Sequence, residues 1–131
     1  MTDVLADTSV WVDHLRGSGS EPLDRALDTR SVVMCGPVAA ELLSGARGET
    51  ATLLRGRFGG LRWISLVEPE DWFAAGELRA ASGTRGRPVA IVDTLLAVVA
   101  QRARVQLWTL DRDFETIAEV ARDLDLRVLP T

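Results

Sequence analysis

Val4-Leu5-Ala6-Asp7-Thr8-Ser9 decides how this chain folds. Three apolar residues run into a carboxylate, two hydroxyls follow, and then an amphipathic run holds Trp11, Val12 and Leu15. The pattern predicts a strand over 4–7 turning into a helix over 9–16, with a Thr or Ser hydroxyl capping the helix. Asp7 then stands at the carboxyl end of a strand, the edge where open α/β sheets place their ligands.

Working outward, β-branched and apolar runs predict further strands over 31–35, 63–66, 105–109 and 126–129. Between them, helices are expected over 22–28, 38–44, 49–58, 69–81, 91–102 and 114–124, with 17–20 a Gly/Ser loop. Pro37 suits the first turn of the helix that carries Glu41. Val92, Leu95, Leu96 and Val99 recur at helical spacing around Asp93. Strands alternating with helices predict an α/β fold, a three-layer α/β/α sandwich around a central, mainly parallel sheet. No repeat, low-complexity tract or linker interrupts it, so residues 1–131 read as a single domain.

The totals exclude several function classes. The start has no basic stretch followed by a long apolar run, and the apolar run 95–100 is too short to span a bilayer. A cytoplasmic protein with no membrane association is expected. One cysteine, Cys35, permits no intrachain disulfide, and one histidine, His14, makes no His-rich zinc cluster. Net charge −4 disfavours non-specific nucleic-acid binding, yet all 15 basic residues are Arg, whose planar fork suits phosphate.

The acidic residues carry the chemistry. Asp7 follows a strand, Glu41 and Asp93 lie in helices among apolar neighbours, and Asp111 and Asp113 follow another strand. Singly, each has a plain alternative: a strand-end hydrogen bond, a helix-dipole partner, or a cap on the last helix. Residues just past parallel strands share one edge of a doubly wound sheet, so the four segments can meet there. Carboxylates gathered in one cleft repel unless protons or cations neutralise them. Oxygen donors with few nitrogen or sulfur rivals point to Mg²⁺ or Mn²⁺. Such a site suits phosphodiester hydrolysis by a metal-activated water. Thr8 and Ser9 either supply a hydroxyl there or simply cap the first helix.

The segments Asp7-Thr8-Ser9, Val38 to Gly45 around Glu41, Val92 to Ala97 around Asp93, and Thr109-Leu110-Asp111-Arg112-Asp113-Phe114 together resemble the PIN-domain ribonucleases. More narrowly they resemble the VapC toxins of bacterial toxin–antitoxin pairs, over essentially the whole chain. The resemblance implies Mg²⁺- or Mn²⁺-dependent endonucleolytic cleavage of RNA, often tRNA or ribosomal RNA. It also implies a cognate VapB-type antitoxin and usually a homodimer. Asp7, Glu41, Asp93 and Asp111 carry over as the acidic quartet, with Asp7, Asp93 and Asp111 as metal ligands and Asp113 as an alternate for the last. A catalytically inactive PIN-like module, acting only through protein or RNA binding, is the competing class.

Arg85, Arg87 and Arg112 are candidates to hold RNA phosphates near the metal. Arg112 also has an aspartate on either side to pair with. Trp63 and Trp108 are expected in the core, Trp11 and Trp72 at a docking surface, Cys35 in a buried strand and His14 on a helix surface.

Overall fold

Each short apolar run becomes a strand, and each helical run packs over the sheet that the strands build. The computed structural model describes residues 2–17, 21–84, 86 and 88–130. In chain order the elements are β1 (Val4–Ala6), α1 (Thr8–Leu15), α2 (Glu21–Asp28), β2 (Val32–Cys35), α3 (Gly36–Ser44) and α4 (Gly48–Gly59). Then come β3 (Arg62–Ile64), α5 (Glu70–Gly83), α6 (Ile91–Ala103), β4 (Gln106–Thr109), α7 (Asp113–Val120) and β5 (Leu126–Val128).

The five strands lie in the order β3-β2-β1-β4-β5, and every neighbouring pair is parallel. β1 and β2 are buried along their whole length and β4 over three of its four residues, because helices cover both faces. Helices α1 to α4 pack among themselves and against β1, β2 and β4, while α5 to α7 pack together, α6 on β4 and α7 on β5. This is the three-layer arrangement expected. The core runs from Leu5, Met34 and Leu107 of the sheet to Trp11, Phe58, Phe114 and Ile117 of the helices.

Chain order reverses between β1 and β4: β2 and β3 lie to one side of β1, β4 and β5 to the other. In open α/β sheets the carboxyl edge at such a reversal is where a crevice opens. The pairing of Ala6 with Trp108 brings Asp7 and Thr109 to that edge side by side. Helix α6 has its N-terminus at the same edge, since it must descend before β4 can rise parallel to β1.

Two arginines fasten α6 to α5. Arg102, near the C-terminal end of α6, donates to both carboxylate oxygens of Asp71 at 3.0 and 2.8 Å and to the Ser65 carbonyl at 2.8 Å. That guanidinium holds the buried Asp71 carboxyl below the usual carboxylate range. At the other end, Arg79 of α5 donates to the Val89 carbonyl at 2.8 Å, just before α6 begins.

Several expectations change. Asp7 itself, rather than a hydroxyl residue, caps α1, its side chain accepting the Val10 amide. Helix α7 stops at Val120 and not at 124, because Ala121 leaves helical backbone at ψ 76° on the way into β5. Trp63 is exposed, since β3 is an edge strand with little covering it, and its indole N–H donates to the Phe58 carbonyl. Trp11 is buried, edge-on to Phe58 at 5.5 Å between ring centres, so it offers no docking surface. His14 is mostly covered too, its Nδ1 2.9 Å from Asp24 of α2. Trp72 is exposed, and Trp108 and Cys35 are buried, as expected. Among the described residues no helix is long and apolar enough to cross a membrane.

Candidate active site

Asp7 sits where β1 ends, and its burial is why its partners matter. Only 5% of it is exposed, and an unpartnered carboxylate so placed would cost several kcal/mol, about 1–3 for a neutral group and more for a charge. Three donors meet it. Ser9 Oγ donates to Oδ1 at 2.6 Å, the Val10 amide to the same oxygen at 3.2 Å, and Thr109 Oγ1 to Oδ2 at 2.6 Å. Burial pushes the carboxyl above its usual range, and the Ser9 and Thr109 hydroxyls and the Val10 and Ser9 amides pull it back.

Around Asp7 four more carboxylates face one rim. Asp93, the third residue of α6, is partly buried, and its carboxyl is pushed up to about 6. Burial is the largest cause, followed by the charges of Asp7, Asp111, Glu41 and Asp113. The fold thus brings together all five acidic positions singled out from the chain. Glu41 is exposed on α3, opposite the buried face formed by Val38, Ala39 and Leu42. Asp111 lies exposed in the turn after β4, its Oδ1 accepting the Asp113 amide at 2.9 Å. Asp111 therefore also steadies the entry to α7, the plain role considered for it.

The supporting residues divide. Ser9 is a partner of Asp7 and also accepts the Leu110 amide at 3.0 Å. Thr8 Oγ1 is buried without a hydrogen-bond partner among the described residues, beside Asp7 in the chain. Arg112 pairs with Glu115, at 2.8 Å, on the exposed start of α7. Arg85 and Arg87 lie outside the described residues. Thr109 is the site residue that sequence reasoning missed. A threonine ending a strand looks like β-propensity alone, and only the pairing of β1 with β4 reveals its reach to Asp7.

Among the described residues no three Asp, Glu, His or Cys side chains are gathered closely enough to hold a metal ion as they stand. The carboxylates lie within range of each other's charge but not within the 2.0–2.1 Å shell of an ion such as Mg²⁺. The donors do fit a hard cation: all are oxygens, and their mutual repulsion is what a divalent charge would relieve.

Residues 4–120 match the family model described as PIN domain. A VapC ribonuclease of Mycobacterium bovis and the ribonuclease VapC11 of Mycobacterium tuberculosis are each 34% identical to the chain over 124 residues, covering 89% of it and 92% of the relative. Among solved structures, DNA-bound VapBC from Salmonella typhimurium superposes with a TM-score of 0.77 at 19% identity, covering 98% of each chain. VapBC2 from Rickettsia felis, bound to a promoter DNA fragment, gives 0.74 at 20% identity, over 95% of this chain and 97% of that one. At such identities these structures speak for the fold alone.

Proposed function

Since the chain belongs to the PIN-domain family, and within it to the VapC ribonucleases, we propose that it is a Mg²⁺- or Mn²⁺-dependent endoribonuclease and the toxin of a type II toxin–antitoxin pair. One observation carries the chemistry: five carboxylates from β1, α3, α6 and the β4–α7 turn crowd one edge of the sheet, where burial first and the charges of the other four second lift Asp93 to about 6.

Asp7, Asp93 and Asp111 would hold the ion, with Asp113 the alternate to Asp111. When bound, the ion lowers the pKa of a water and steadies the charge on the phosphate oxygens. The chain's own groups do the rest. Ser9 and Thr109 hold Asp7 as an acceptor on both oxygens. Glu41, exposed at the rim, accepts the proton that the attacking water releases. Thr8 keeps an unspent hydroxyl beside Asp7, available to orient that water. RNA, often tRNA or ribosomal RNA in the resembling family, is the substrate. Arg85, Arg87 and Arg112 remain the candidates for its phosphates, the last only by giving up Glu115.

A VapB-type antitoxin is the proposed partner, supported by the VapBC neighbours in fold. The proposed assembly is a homodimer, for which exposed Val67, Trp72 and Phe73 supply apolar surface. Residues 1–131 form the single nuclease domain of this reading. Purified protein is expected to cut structured RNA with Mg²⁺ or Mn²⁺ and to stop with EDTA. Asp93→Asn should be folded and inactive; cleavage by that variant at the wild-type rate would overturn the assignment.

A further inference from the structure

Two hydroxyl side chains at the sheet edge make the same pair of bonds in mirror roles. Thr109, the last residue of β4, is fully buried. Its Oγ1 donates to Asp7 Oδ2 at 2.6 Å and accepts the Asp111 amide at 2.9 Å. Ser9, in the first turn of α1, donates to Asp7 Oδ1 at 2.6 Å and accepts the Leu110 amide at 3.0 Å. A hydroxyl has one proton, and an amide can only donate to it. Each hydroxyl proton is therefore directed at Asp7, one on each carboxylate oxygen.

We infer that Thr109 and Ser9 are positioning residues, which lock Asp7 to the 109–111 turn and so fix the spacing between Asp7 and Asp111. The inference rests on the metal reading of the acidic rim. Asp7 and Asp111 belong to segments about 100 residues apart in the chain, joined here by the pairing of β1 with β4 and by these hydroxyl bridges. Both carboxylates act on Asp93 with like charge, a repulsion that tends to push the rim apart. The two hydroxyl bridges oppose that force at its origin, tying the backbone that bears Asp111 to the side chain of Asp7. A divalent ion demands ligands placed to within about 0.5 Å, which a loose turn does not provide. Ser9 is thereby a holder of a ligand rather than a ligand.

Mn²⁺ titration by calorimetry tests this without any RNA. Thr109→Val removes both bridge bonds and Thr109→Ser keeps them. Outer-shell losses of this kind weaken metal binding by about 10–100-fold, so Thr109→Val should fall in that range and Thr109→Ser stay within about threefold of wild type. A residue that merely packs the core would lower the melting temperature and leave Mn²⁺ affinity alone, so Thr109→Val binding Mn²⁺ like wild type overturns the inference. Should Thr109→Val fail to fold, Ser9→Ala answers the same question on the more exposed bridge, with a loss supporting the inference and wild-type affinity refuting it. If the wild-type protein itself binds no Mn²⁺, the metal reading fails and the inference falls with it, a result distinct from both others.

Discussion

Replacing Asp93 with Asn should make the metal-free domain more stable while abolishing its activity. The carboxyl rises from an ordinary 3.8 to about 6, first through burial and then through the charges of Asp7, Asp111, Glu41 and Asp113. Each pH unit is worth about 1.4 kcal/mol, so the undiluted penalty on the ionised form approaches ~3 kcal/mol. Asp93 is only partly buried, and solvent screening reduces that to about 1–2 kcal/mol. The folded pKa lies above the unfolded one. The protonated form therefore contributes stability that is complete below about pH 4 and lost as pH rises through about 6. Asn has the shape of the neutral acid and never acquires the charge. Thermal melts in EDTA should show Asp93→Asn and wild type nearly level in acid and the variant higher near neutral pH by roughly 3–8 °C, the equivalent of that energy in a domain of this size. Added Mn²⁺ should raise wild type and leave the variant unmoved. The reasoning fails if the difference between the two curves is flat across pH, or if the variant is the less stable at neutral pH.

Other perturbations have equally definite outcomes. Asp7→Asn turns an amide N–H toward either Ser9 Oγ or Thr109 Oγ1, each of which already accepts a backbone amide, and strands that hydroxyl's proton; denaturant melts should show a loss of about 1–3 kcal/mol and RNA cleavage should cease. Arg102→Leu leaves the Asp71 carboxylate buried without its cation, and should cost about 3–5 kcal/mol in chemical denaturation. Because Arg102 holds the Asp71 carboxyl below its usual range, that stability is present above the unfolded value and lost as acid protonates it, so the wild-type advantage should shrink in melts at low pH. Cys35 is buried with its thiol pushed up to about 11, so an aromatic disulfide reagent at neutral pH should label it only after denaturant is added.

Most of the architecture was legible because its strands are short apolar runs and its helices carry regular apolar spacing. Every expected strand and helix is present, and the ends that moved did so for local reasons, such as Ala121 leaving the helix ahead of β5. What periodicity cannot show is which strands lie side by side. Trp63 and Trp108 occupy similar apolar runs, yet β3 is an edge and β4 lies inside the sheet, so one indole is open and the other buried. Trp11 and His14 went the other way: amphipathic spacing gave α1 an outer face, and Phe58 and Asp24 from later helices cover part of it. The acidic set was readable because carboxylates recur at strand and helix ends among apolar neighbours in four separate segments. Its support was not, since Thr109 acquires a function only from a neighbour 102 positions earlier.

That long separation bears on how such a protein is made. β1 is the centre of the sheet, and β4, its partner on the switch-point side, is synthesised about 100 residues after it. Until residues 106–111 emerge, the nascent chain has Asp7, Glu41 and Asp93 outside the tunnel but nothing to draw Asp7 into register with its far partner. A chain made only as far as α6 thus carries the first three carboxylates without the strand that sets Asp7 in register, and the acidic rim assembles only once β4 is in place.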